Sequence, residues 1–280
     1  MIYIIVPTFA KVNQTQKFIA SIDNSIRSGY LIILVDDHPE NLTFNFIKQN
    51  KFVKILKSDR ELWWVGSINL GIKFLYDNYG VKEKDIVVFA NNDVEIDKTS
   101  FKVLKNEMLN NINQIIHPRT FDQNNVEVSS GAKIITLFPY ITKHPKNFIS
   151  KKIEIDMGTA RFLMMGGNVL NKLGFINRDL VQYGGDNDFT LSAKQFHNIN
   201  TYILRDAICR LDDSLTGIKN HNIQNIKELY NSFSSIKSPN NIKYRYELFK
   251  KFFGKAGAFF ITASISFNTI IKFIIRKNKK

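Results

Sequence analysis

The chain has 280 residues, 44% of them hydrophobic and 12% aromatic, which is enough to bury a substantial core and too apolar for a disordered protein. A single cysteine, Cys209, excludes any internal disulfide and suits a reducing compartment. The formal charge of +14 is unevenly placed: residues 237–280 carry eleven Lys or Arg against one acidic residue, Glu247, so only +4 belongs to the first 236 residues.

The first apolar run, residues 2–6, is too short for a signal peptide, has no basic residues before it and is closed by Pro7. It reads as a first strand in a cytoplasmic protein. Further strands are expected at 31–35, 52–56 and 85–90, separated by segments with helical spacing such as Ile68, Leu70, Ile72, Leu75 and Tyr76. This alternation predicts an α/β fold with a parallel sheet covered on both faces. A helix is expected over 101–109, then short strands at 125–130 and 133–138, and an exposed basic loop at 141–152. Residues 223–254 read as helical.

The segment 256–275 holds one charge, Lys272, and could just span a bilayer. Projected as a helix, however, it places Phe259, Phe260, Ala263, Phe267, Ile270, Ile271 and Ile274 on one face, with Thr262, Ser266, Asn268, Thr269 and Lys272 mostly opposite. That pattern favours a helix lying in the interface of an anionic membrane. No nucleic-acid-reading motif is present. Phe249, Phe252 and Phe253 can bury against lipid or against a second subunit in a homodimer.

Two expected strands end in polar residues. The 85–90 strand runs into Asn91, Asn92 and Asp93, and the 31–35 strand into Asp36 and Asp37. Each has a plain explanation as a turn or a helix cap. Together they mark two carboxyl edges of one sheet, where open α/β folds place their ligands and where a carboxylate suits a hard divalent cation. Trp63, Trp64 and Asn69 stand at the start of the helix that follows, where a Trp can stack on a sugar or base. Asp186 and Asp188, after Gly184 and Gly185, are either caps or a base aimed into a cleft.

The order of "VPTF", "VDD", "WWVGSINLGI", "NND", "GGNVLNKLGF" and "GGDNDF" resembles family 2 glycosyltransferases of the GT-A fold over about the first 215 residues. The resemblance implies a single Rossmann-like, mostly parallel sheet in residues 1–222, with a donor half near 1–97 and an acceptor half near 98–222. A basic helical membrane-associating appendage would occupy 223–280. It implies contacts to a UDP- or dTDP-sugar from Pro7, Thr8, Asp36 or Asp37, Trp64, Asn69, Asn91, Asn92 and Asp93. Mg²⁺ or Mn²⁺ would sit on Asp93 and His221, with Asp212 and Asp213 as alternatives. Asp186 would be the catalytic base of an inverting transfer, and Gly166, Gly167 and Asp188 would lie on the acceptor side. The acceptor implied is a glycan or lipid-linked glycan of a bacterial surface polysaccharide, with the enzyme peripheral on the inner face of the cell membrane. The family's first two Asp-x-Asp positions are Asn91 and Asn92 here, and Gly185 stands where the family often has Glu. A nucleotidyltransferase and a non-enzymatic membrane-surface protein are the alternatives.

Overall fold

Strand β1 (Ile2–Thr8) leads through helix α1 (Val12–Ser25) to β2 (Tyr30–Asp36), and short α2 (Leu42–Phe46) leads to β3 (Val53–Lys57). Helix α3 (Trp63–Asn78) returns the chain to β4 (Ile86–Ala90), followed by β5 (Val94–Ile96), α4 (Lys98–Asn110) and β6 (Ile115–Asp122). Short strands follow: β7 (Glu127–Val128), β8 (Gly131–Thr136), β9 (Ile141–Lys143), β10 (Lys152–Ile155) and β11 (Met157–Gly158). The chain finishes with β12 (Phe162–Gly166), α5 (Gly167–Leu173), α6 (Gly185–His197), β13 (Thr201–Leu211), α7 (Ile226–Ser232) and α8 (Ile242–Lys277). The computed structural model describes residues 1–26, 28–128, 130–146, 148–212 and 223–278.

The main sheet has the order β10-β13-β6-β12-β4-β1-β2-β3. Strands β3, β2, β1 and β4 are mutually parallel. Their side chains alternate between two cores: Tyr3, Ile5, Leu31 and Ile33 bury on one face, and Ile2, Ile4, Ile32 and Leu34 on the other. A strand buried on both faces must be apolar throughout, which explains the unbroken runs in the sequence. The first face is covered by α3, α6 and α8, the second by α1 and α4. Helix α3 lies so close over β1 that a Cβ at Gly71 would stand 2.4 Å from Ile5 Cγ2.

Strand β12 enters between β4 and β6 antiparallel to both, pairing Phe162 with Ala90 and Gly166 with Ile86. Its beginning therefore joins the carboxyl edge of β4, and its end lies at the opposite edge. That reversal decides which residues meet in the site.

Three sequence expectations are corrected. The stretch at 141–152 is not simply a loop: β9 pairs with β8 in a separate three-stranded sheet with β11. The helical region at 223–254 is broken by turns between α7 and α8, and α8 runs on through 256–275 with one non-helical residue, Gly254 (φ 68°). Phe249 is turned neither to lipid nor to a second subunit, because it packs in the core with its ring 5.1 Å from that of Tyr140.

Candidate active site

A cavity of about 700 Å³ opens where the carboxyl ends of β1, β2 and β4 meet the beginning of β12. Pro7, Thr8 and Phe9 line it from β1, Asp37 from just past β2, and Asn91, Asn92 and Asp93 from the end of β4. Thr159, Ala160 and Arg161 enter with the approach to β12, and Trp63, Trp64 and Ser67 come from the start of α3. Gln182, Tyr183 and Asp186 close it from the α6 side, with Leu211 at the end of β13 and Lys237 and Pro239 from the segment before α8.

The run Asn91, Asn92 and Asp93 divides its labour. Asn91 Oδ1 accepts the Trp64 indole N–H at 3.1 Å, and Asn92 Nδ2 donates to Thr15 Oγ1 at 2.9 Å. The two amides thus tie the strand end to α3 and α1 and leave Asp93 as the carboxylate of the group. Asp93 Oδ1 is buried with no hydrogen-bond partner among the described residues. Burial pushes its carboxyl up to about 6, against the opposing pull of Arg161 and Lys11. The backbone N–H of Asp212 donates to the Asp93 carbonyl at 2.9 Å, which brings a second carboxylate alongside.

An unsatisfied, desolvated carboxylate oxygen costs stability unless something binds it. The donors gathered here are oxygens, which fit Mg²⁺ or Mn²⁺. No group of three or more His, Cys, Asp or Glu side chains suited to a metal exists among the described residues. The set therefore fits a cation held by one or two carboxylates and completed by substrate phosphates. His221 and Asp213 lie outside the described residues.

Asp186 sits in the first turn of α6, which is opened by Gly184 with left-handed backbone (φ 89°). Its Oδ1 accepts from Asn187 N at 2.9 Å and its Oδ2 from Ala160 N at 3.3 Å. Burial raises its carboxyl above the ordinary range, opposed by those backbone bonds and by Arg161. Arg161 thus acts on both Asp93 and Asp186. It lines the cavity together with Lys11 and Lys237, alongside the acids Asp37, Glu61, Asp93 and Asp186.

Asp37 has a different task from the expected ligand contact. Its two oxygens accept the backbone N–H groups of Leu62 at 2.5 Å and Trp63 at 2.7 Å. Trp63 has φ 58°, a left-handed conformation that costs a bulky residue on the order of 1–3 kcal/mol, and the Asp37 bonds hold it there. Asp37 therefore positions the Trp wall while still lining the cavity. Burial pushes its own carboxyl up to about 6.

Five expected contacts fall outside the cavity. Asp36 is fully buried and caps α2, accepting from His38 N and Phe44 N. Asn69 spends its amide on Ile176, donating to its carbonyl at 2.9 Å and accepting its N–H at 2.8 Å. Asp188 points away from the cavity to Lys251 of α8. Gly166 and Gly167 lie at the far edge of the sheet because β12 runs backwards. Added Cβ atoms there would stand 2.3 Å from the Ile112 carbonyl and 2.0 Å from that of Lys82, so these glycines serve packing. Arg161, Lys11 and Lys237 were missed in turn. Arg161 was detectable only as the one cation ahead of a buried run, with nothing in the sequence to reveal the antiparallel pairing.

The parallel β3-β2-β1-β4 unit, the reversed β12 and a cavity over the strand ends define the GT-A fold. Two solved structures align over nearly the whole chain. GalNAc-T7, solved with UDP, GalNAc and Mn²⁺, aligns at TM-score 0.61 and 9% identity over 94% of this chain and 54% of its own. Residues 1–349 of TarS from S. aureus align at TM-score 0.58 and 14% identity over 97% of this chain and 72% of that one. This chain thus spans about half the length of the GalNAc-T7 chain. No curated protein sequence matches it. The chain belongs to glycosyl transferase family 2, whose family model matches residues 3–173.

Proposed function

We propose that the protein is an inverting glycosyltransferase that moves a sugar from a UDP- or dTDP-sugar to a glycan or lipid-linked glycan at an anionic membrane surface. The observation that carries the reaction is the pairing of Asp93, with its buried unpartnered oxygen, and Asp186, with its raised carboxyl, in one cavity that Lys11, Arg161 and Lys237 also line.

The donor base and sugar lie against Trp64 and the β1 end, and its diphosphate meets Lys11, Arg161 and Lys237. A divalent cation bound by Asp93, with Asp212 beside it, would neutralise charge on the departing diphosphate. Asp186 takes the proton from the acceptor hydroxyl as that oxygen bonds to the anomeric carbon. The anomeric carbon–oxygen bond breaks on the opposite face, and its electron pair leaves with the nucleoside diphosphate. A raised carboxyl is the stronger base for this task.

The membrane clause rests on α8, which is long and apolar enough to cross a bilayer. Ala258, Ile261, Thr262 and Phe273 are buried against the protein, and Phe273 packs with Leu229 of α7, so the helix stays on the globule at both ends. An in-plane position satisfies both facts. Titration of nucleotide sugars against wild type and Asp93→Ala, with and without Mn²⁺, tests the donor reading. One sugar nucleotide bound with metal help that Asp93→Ala removes supports it. Release of pyrophosphate in place of a nucleoside diphosphate overturns it in favour of nucleotidyl transfer.

A further inference from the structure

A soluble amphipathic helix buries its apolar stripe, whereas the second half of α8 buries only part of its apolar surface, at Ala258, Ile261 and Phe273, and leaves the rest bare. Phe259, Phe260 and Phe267 are 62%, 57% and 63% exposed, and Ile274 and Ile275 are also bare. This apolar face does not end with the helix. The tip of the β8–β9 hairpin is fixed to α8 by Tyr140 N donating to Ser264 Oγ at 3.3 Å. Phe138 at that tip, 59% exposed, meets the Phe260 ring edge-on at 6.2 Å. In the hairpin strands Ile135 and Ile141, the latter paired with Thr136, are 53% and 48% exposed.

The charges around this surface have one sign. Neither 131–153 nor 248–280 contains an acidic residue, and Lys133, Lys143, Lys255, Lys272 and Lys277 are exposed along them. A contiguous apolar patch of this kind marks an interaction site. A second copy of the chain meeting this face would bring two basic sets together, whereas a bilayer rich in anionic lipid complements both the patch and its charge.

We infer that the β8–β9 hairpin is a second membrane-insertion element, and that with α8 it forms one composite face binding an anionic lipid surface. The inference rests on the reading of α8 as an interfacial helix. Two separated points of insertion fix the rotation of the protein about the α8 axis, which a single helix leaves open. The hairpin therefore sets how the cavity is presented to the membrane.

The full chain is sedimented with vesicles of phosphatidylglycerol and phosphatidylcholine, and with phosphatidylcholine alone, beside Ile135→Ser/Phe138→Ser and Phe267→Ser/Ile274→Ser variants. All substituted side chains are exposed, and an unchanged thermal transition confirms folding. Wild-type binding that needs the anionic lipid, and that the hairpin variant weakens by about tenfold or more, is the expected result. A hairpin variant that binds like wild type, while the helix variant fails, overturns the hairpin and leaves the helix reading standing. Wild type that ignores both vesicles overturns both. A wild-type dimer that the hairpin substitutions dissociate assigns the face to a second copy and also overturns the inference.

Discussion

Lys251 of α8 places its Nζ 2.9 Å from Asp188 Oδ1 and 2.7 Å from Ser192 Oγ, binding the C-terminal helix to the same α6 whose first turn carries Asp186. Asp188 is almost fully buried, and burial raises its carboxyl despite the lysine. A raised carboxyl makes the folded protein bind more protons than the unfolded chain, so its ionisation costs stability as pH rises. Lys251→Met leaves that charge uncompensated. It is expected to destabilise by about 1–3 kcal/mol at pH 7, Lys251 being partly exposed, and by less as pH falls and Asp188 takes up a proton. Chemical denaturation of both proteins at pH 5 and pH 7 checks the sign.

Asp186→Asn keeps the size of the side chain and removes the base. The turnover number is expected to fall by about 10²–10⁴ while donor affinity holds within a few-fold. The wild-type rate falls as acid protonates the carboxylate, at a higher pH than an ordinary aspartate would show, because burial raises Asp186. Donor titration alongside a pH–rate profile separates this from general loss of structure.

Asp93→Asn preserves the shape of the strand end and removes the charge. Wild type is expected to bind a nucleoside diphosphate more tightly with Mn²⁺ than with chelator present, and the variant equally in both. Calorimetric titration reads the difference, and an undiminished metal effect in the variant would show that Asp93 is no ligand.

Gly167→Ala separates packing from acceptor binding. The new methyl would lie 2.0 Å from the Lys82 carbonyl, a backbone atom that cannot swing aside. A loss of about 3 kcal/mol is expected, the upper range of overpacking, with the acceptor KM of the folded fraction unchanged. A selective rise in that KM at full stability would restore the glycine to the acceptor side.

Asn69→Ala breaks the two bonds that hold Ile176 against α3. The expected cost is about 1–3 kcal/mol, because two buried backbone groups are left unpaired. Comparing thermal transitions with and without nucleoside diphosphate tests this, since a structural role lowers both equally.

Strands β1, β2 and β4 were legible because each is buried on both faces and so reads as an unbroken apolar run, while the edge strand β3 alternates, burying Val53 and Ile55. Pro7, Thr8, Trp64, Asn91, Asn92, Asp93 and Asp186 line one cavity. Gly166 and Gly167 lie away from the cavity because residue type does not encode strand direction and β12 is reversed, and Asp188 does so because two residues along α6 from Asp186 the helix turns its side chain to Lys251. Asp36 illustrates a second limit: a carboxylate after a strand serves a helix cap or a ligand with the same local sequence, and only Phe44 N settles it. Phe259, Phe260, Phe267 and Ile274, which the helical projection groups on one face, are exposed, but their continuity with Phe138 was not legible, since the hairpin lies more than a hundred residues away in the chain.

The cavity draws its walls from Pro7 at one extreme and from Lys237 and Pro239 at the other. During synthesis the strand ends emerge early, yet the pocket stays open on one side until the segment before α8 has left the ribosome. Helix α8 follows that segment, so the last wall of the pocket and the apolar helix emerge as neighbouring events.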